Sequence, residues 1–154
     1  MSDALDDLLT RGYRYALSLT HDATAAEDIL QEACVGISRR GGPWHVGYLF
    51  ASVRNAWVDT HRGRSLDTVP LTNAEHEPAA DRQVGDGLEH RETLDRLLGE
   101  LNPAEREAVF LMVVEGYTAA EVAELVGSPR NTVLSRVHRG KTRLRRLLLE
   151  EANR

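Results

Sequence analysis

The sequence predicts an all-α protein of two small helical domains joined by a flexible acidic linker, the second containing a helix-turn-helix. Three observations carry that prediction. Apolar residues recur at helical spacing through most of the chain, and this period collapses only once, between about residues 63 and 87. Only 5% of the residues are aromatic, so a core has to be built from Leu, Val and Ala, which suits small helical bundles. With 154 residues the chain has room for one ordinary domain or two small ones.

Leu5, Leu8, Leu9, Tyr13 and Ala16 give a first amphipathic helix that ends near Thr20-His21. Asp22 or Thr24 can cap a second, whose stripe is Ala26, Ile29, Leu30, Ala33, Cys34 and Ile37 and which Gly41-Gly42-Pro43 breaks. A third runs from about His45 to Arg62 with Leu49, Val53, Ala56, Trp57 and Thr60 on one side. Pro70, Asn73, Pro78 and Gly85 then punctuate an aperiodic stretch of Asp, Glu and Ala that reads as a tether. Helices resume at about Leu88–Glu100 and Pro103–Glu115, the latter with Asn102 as cap and Pro103 at its first position. The domains are therefore residues 1–64 and 88–154, with a linker at 65–87.

The stretch from Gly116 to Arg139 is the most specific. Thr118 with Glu121 forms a capping box for a helix to Val126, Gly127 makes the hinge, and Ser128 as N-cap with Pro129 in the first turn opens a helix to about Glu150. This is the grammar of a DNA-reading helix-turn-helix. Val133, Val137, Gly140, Leu144 and Leu147 project inward at about 100° per residue, leaving Asn131, Ser135, His138, Arg139 and Thr142 on the opposite face. Thr132, Leu134, Arg136 and Arg130 complete the candidate set. Ser, Asn, His and Arg can donate to base-edge acceptors, and Arg139 could grip guanine with two bonds. Arg130, Lys141 and Arg143 are better placed for phosphates, which position a helix without reading sequence.

Charge is segregated along the chain. Residues 1–36 carry a net −5, residues 37–64 +4, residues 65–128 −10 and residues 129–154 +6. Two basic islands that each coincide with a motif suggest two nucleic-acid contacts. One cysteine excludes an internal disulfide, the six histidines show no zinc spacing, and no nucleophile set or phosphate loop is present. No enzyme activity, cofactor or metal is expected. The acidic N-terminus and the lack of a long apolar run point to a cytoplasmic protein without membrane insertion.

Ala26-Glu-Asp-Ile-Leu-Gln-Glu32, followed by Tyr48-Leu-Phe-Ala-Ser-Val-Arg-Asn-Ala-Trp-Val-Asp-Thr-His-Arg62, resembles the first domain of extracytoplasmic-function sigma factors of the sigma-70 family. Leu94–Leu148 resembles their second domain, which reads the −35 element as duplex. The resemblance implies an alternative sigma factor that recruits bacterial core RNA polymerase to specific promoters. It further implies that Glu27, Asp28, Gln31 and Glu32 dock on the β′ clamp helices, with the β flap as a second polymerase contact. The third helix would hold the melted −10 strand, Tyr48 and Phe50 by stacking and Arg54, Asn55, Arg62 and Arg64 by backbone or base-edge contacts. Tyr48 and Phe50 serve equally well as core aromatics, and Trp57 sits on the apolar stripe. An anti-sigma factor is an expected partner. Among the departures from the family pattern, the chain between Glu32 and Tyr48 is several residues short, with Trp44 or His45 as possible substitutes in the −10 base pocket, and Leu134 stands where Lys or Arg is usual. The alternatives are a stand-alone helix-turn-helix regulator and a degenerate sigma that titrates an anti-sigma factor.

Overall fold

The computed structural model describes residues 2–62 and 88–154, and among these it holds seven α-helices, one π-helical turn and no strand. The expected linker, residues 65–87, lies outside the described residues.

Helix α1 spans Ser2–Thr20, α2 Ala23–Arg40 and α3 Val46–Arg62. Asp22 is the residue that caps α2: its carboxylate accepts from the N–H groups of Thr24 and Ala25 at 2.9 and 3.3 Å. Ala26, Ile29, Ala33 and Ile37 of the predicted stripe are buried, and Leu30 and Cys34 pack beside them. These three helices all pack on one another, with Ala16, Leu19, Leu49 and Val53 filling the centre.

The second domain comprises α4 (Leu88–Leu98), α5 (Pro103–Val109), α6 (Ala119–Val126) and α7 (Arg130–Ala152). Asn102 and Glu105 close a capping box at the start of α5. The single helix expected from Pro103 to Glu115 changes register at its end. Phe110–Val114 form a π-helical turn, which the 3.6-residue period does not announce. Leu111 is fully buried there while Val113 and Val114 are exposed.

Thr118 and Glu121 form the second capping box, and Gly127 ends α6 in the left-handed region at φ 69°, where a side chain would be strained. At the start of α7 the expectation for Ser128 is corrected. The capping position is Pro129, whose extended backbone turns its carbonyl onto the N–H groups of Thr132 and Val133. The Ser128 hydroxyl instead accepts from Arg136 Nη1 at 3.4 Å.

The two domains share one buried cluster. Tyr15, Phe50, Leu111 and Tyr117 belong to it, and the Tyr15 ring lies 4.7 Å from Phe50 and 6.0 Å from Phe110, centroid to centroid. This contact explains why the stripes predicted for α1 and α3 are incomplete. Tyr15 is off the α1 stripe and Phe50 off the α3 stripe, yet both are fully buried because a second domain covers that side. Leu5 and Thr60, placed on those stripes, are exposed.

Candidate nucleic-acid interface

Helix α7 is anchored through Val133, Val137 and Gly140, all buried against the rest of its domain. Leu144 and Leu147, further along the same line, are half-buried. Arg130, Asn131, Leu134, Ser135, His138, Arg139, Lys141 and Arg143 are exposed, and Thr132 and Arg136 half-exposed. A continuous polar and basic face thus stands on a helix whose other side is fixed by packing. Leu134 lies within it and offers an apolar surface of the kind that meets a thymine methyl group. Arg139 is not wholly uncommitted: its Nε lies 3.6 Å from Glu105 Oε2, although the side chain remains 58% exposed.

Helix α3 divides its predicted site residues between two sides. Tyr48, Ser52, Asn55 and Asp59 follow one another at intervals of four, three and four and lie toward α2. Arg40 donates to the Tyr48 hydroxyl at 2.9 Å and to Ser52 Oγ at 3.4 Å, and its guanidinium lies 5.5 Å from the Tyr48 ring centroid. Between α2 and α3 is an open polar cavity of about 280 Å³, lined by Glu32, Arg39, Arg40, Ser52, Asn55 and Asp59 among others. Arg39, Arg40, Ser52 and Asp59 were not singled out from the sequence as a group. Their convergence follows from the pairing of two helices rather than from spacing in one.

Phe50, Arg54 and Trp57 project to the other side. Phe50 is 0% exposed and sits between Tyr15 and Tyr117, so in this arrangement it is a core aromatic rather than a ring open to bases. The Arg54 guanidinium, expected to face nucleic acid, is turned into the domain contact. Its Nε donates to Glu107 Oε2 at 2.8 Å, and its side chain is 12% exposed. Burial opposes the charged guanidinium and is the largest single influence on it, but the Glu107 carboxylate and the Tyr15 hydroxyl together outweigh it and raise the pKa above the ordinary value. The Tyr15 hydroxyl donates to the same carboxylate at 2.6 Å, and burial followed by the Glu107 charge lifts its pKa well above the usual phenol range. The side chain of Arg62, and Arg64 entirely, lie outside the described residues.

Two further contacts lock the domains. Arg11 donates to Glu115 Oε1 at 2.7 Å. Arg106 reaches back from α5 and donates to the carbonyls of Ser18 and Leu19 at 2.6 and 3.3 Å, satisfying acceptors that the end of α1 leaves open. Burial lowers the Arg106 pKa, an effect partly offset by Asp95.

On α2, Glu27, Asp28, Gln31 and Glu32 are all exposed, the first three on the side away from Ile29 and Ala33 and Glu32 on the flank that also lines the cavity toward α3. Val35, 48% exposed, continues this face one turn on from Gln31 and two from Asp28 and gives it an apolar spot. Trp44 and His45 do not reach the polar cavity. With Ala4, Asp7, Leu8 and Arg11 at the start of α1 they line a separate open pocket. Among the described residues no cluster of metal-ligating side chains occurs, and no helix is long and apolar enough to cross a membrane.

Residues 91–144 match the family model of Sigma-70, region 4. Over 155 residues the chain is 31% identical to the ECF RNA polymerase sigma factor SigM of Mycobacterium tuberculosis, covering 94% of this chain and 77% of SigM. It is 28% identical to the RNA polymerase sigma factor CarQ of Myxococcus xanthus, covering 96% of this chain and 91% of CarQ. The fold matches that of the sigma factor RpoE from Bartonella quintana, solved in complex with the anti-sigma factor NepR, with a TM-score of 0.69 at 24% identity and coverage of 96% and 95% of the two chains. The two-domain helical fold, the helix-turn-helix and these likenesses agree: the chain belongs to the extracytoplasmic-function family of RNA polymerase sigma factors.

Proposed function

We propose that this chain acts as a non-enzymatic specificity subunit, bringing bacterial core RNA polymerase to a restricted set of promoters while the polymerase performs the chemistry. The observation that carries the reading is the exposed face of α7, set on a buried Val133–Val137–Gly140 spine in a helix-turn-helix whose first helix is capped at Thr118 and closed at Gly127. Asn131, Ser135, His138 and Arg139 read the −35 duplex, Leu134 contacts a methyl group, and Arg130, Lys141 and Arg143 hold phosphates.

The acidic face of α2 docks on the β′ clamp helices, with Val35 adding apolar area to a charged contact, and the second domain engages the β flap. The cavity between α2 and α3 takes one unstacked base of the −10 strand. It offers both donors and acceptors at a size suited to a nucleobase. Tyr48, held by Arg40, supplies a stacking ring at its edge, worth roughly 1–3 kcal/mol per base. Asn55, Arg62 and Arg64 contact the strand from α3 and just beyond it, and Arg54 joins them when the domains part. An anti-sigma factor that recognises the closed pair of domains is the expected regulator, and the cytoplasm the expected location.

Cleavage footprinting of promoter fragments selected by polymerase loaded with the full chain tests this reading. Protection at both the −35 and −10 segments is expected. Protection at one palindromic duplex site by the chain alone, with no polymerase requirement, would instead establish a stand-alone regulator.

A further inference from the structure

Arg54 and Glu107 lie in different domains and 53 residues apart, yet their contact has the form of a guanidinium fork on a two-oxygen anion. Nε meets Oε2 at 2.8 Å and Nη2 reaches Oε1 at 3.5 Å. Glu107 is buried, and Tyr15 completes its hydrogen bonding. A phosphate diester presents the same pair of oxygens to an arginine. We propose that Glu107 is a built-in substitute for a strand phosphate: it withholds Arg54 from nucleic acid while the domains are closed, and the melted strand gains Arg54 only by displacing it. This rests on the strand-binding role given to Arg54 above.

Three features favour a gate over a plain structural ion pair. A buried ion pair often stabilises a fold no better than well-packed apolar residues would, so its presence in the domain contact leaves room for another use. Phe50 is sealed by the same contact, between Tyr15 and Tyr117, so one opening movement releases both the cation and the ring. Meanwhile Ser52, Asn55 and Asp59 remain on the α2 side of α3, around a cavity that is already open, with Tyr48 bonded to Arg40 of its lining. The closed chain therefore presents half of its strand-binding helix and holds the other half inside. The second domain and the single strand become competing ligands for Arg54, and each weakens the other by the same factor. Free chain is thereby kept off single-stranded DNA until polymerase docking holds the domains apart.

The test uses full-length wild type, Glu107→Gln, Glu107→Ala and Arg54→Ala, each checked for helix content by circular dichroism. Affinity for a random-sequence single-stranded DNA pool is read by fluorescence anisotropy across a salt series, and domain separation by the radius of gyration from X-ray scattering. Both Glu107 variants should expand and bind the pool several-fold more tightly. Arg54→Ala should expand but tighten less than the Glu107 variants, keeping only what the released Phe50 contributes, and its plot of log affinity against log salt should be shallower than theirs by about 0.7, the share of one phosphate contact on a single strand. Unchanged affinity in both Glu107 variants, expanded or not, overturns the gate. If Arg54→Ala still binds more weakly than they do, the strand role of Arg54 survives that failure. Identical affinity and salt slope in Arg54→Ala and the Glu107 variants would remove the strand role itself, and the gate with it.

Discussion

Gly140 of α7 stands so close to Val109 of α5 that a Cβ added to it would come within 2.7 Å of the valine Cγ2. Helix α7 is seated by this contact, and its reading face takes its angle from it. Gly140→Ala is therefore expected to destabilise the protein by about 1–3 kcal/mol through overpacking, despite the better helix propensity of alanine. Urea unfolding of the purified variant measures this. Unchanged or increased stability would mean that α7 can shift without cost.

Tyr15 donates its hydroxyl to a carboxylate that has almost no access to water. Tyr15→Phe keeps the ring stacking and removes one bond to a charged acceptor, so a loss of roughly 1.5–3 kcal/mol is expected from the closed state. Equilibrium unfolding with probes in both domains separates the possible results. A loss confined to the cooperativity between the domains fits the closed contact, and no loss would indicate that a water replaces the hydroxyl.

Arg139 has two claims on it, Glu105 in the free protein and base edges in a promoter complex. Its loss should cost about 1–3 kcal/mol at a single −35 position and relax the preference there. Binding of Arg139→Ala to a library of −35 variants reads this directly. Equal losses on every sequence would make Arg139 a phosphate contact.

Asp28 and Gln31 are exposed on α2 and turned away from its buried stripe. Asp28→Arg combined with Gln31→Arg should abolish binding to core polymerase and leave the thermal unfolding midpoint within the small range typical of surface changes. A folded double variant that still binds polymerase would remove this face from the docking site.

Much of this was legible in the sequence because it is written in local signals. The caps at Asp22 and Asn102, the box at Thr118–Glu121, the turn at Gly127 and the Val133–Val137–Gly140 spine each depend on residues within a few positions of one another. What was not legible depends on the meeting of distant segments. Nothing local distinguishes Arg54, which pairs with Glu107, from Asn55, which lines the cavity, because helical period tells which residues share a side and not what covers it. Tyr15 and Phe50 look like surplus aromatics until the second domain is placed over them. The π-helical turn at Phe110–Val114 has no recognisable pattern, since an all-apolar run fits any helical register.

Promoter-dependent transcription by core RNA polymerase, with and without the purified chain, on a pool of fragmented genomic DNA tests the central claim most directly. New transcripts that start downstream of a shared pair of −35 and −10 sequences, and only when the chain is present, are the predicted result. A chain that fails to bind polymerase, or that binds it and yields no new start sites, would contradict the account.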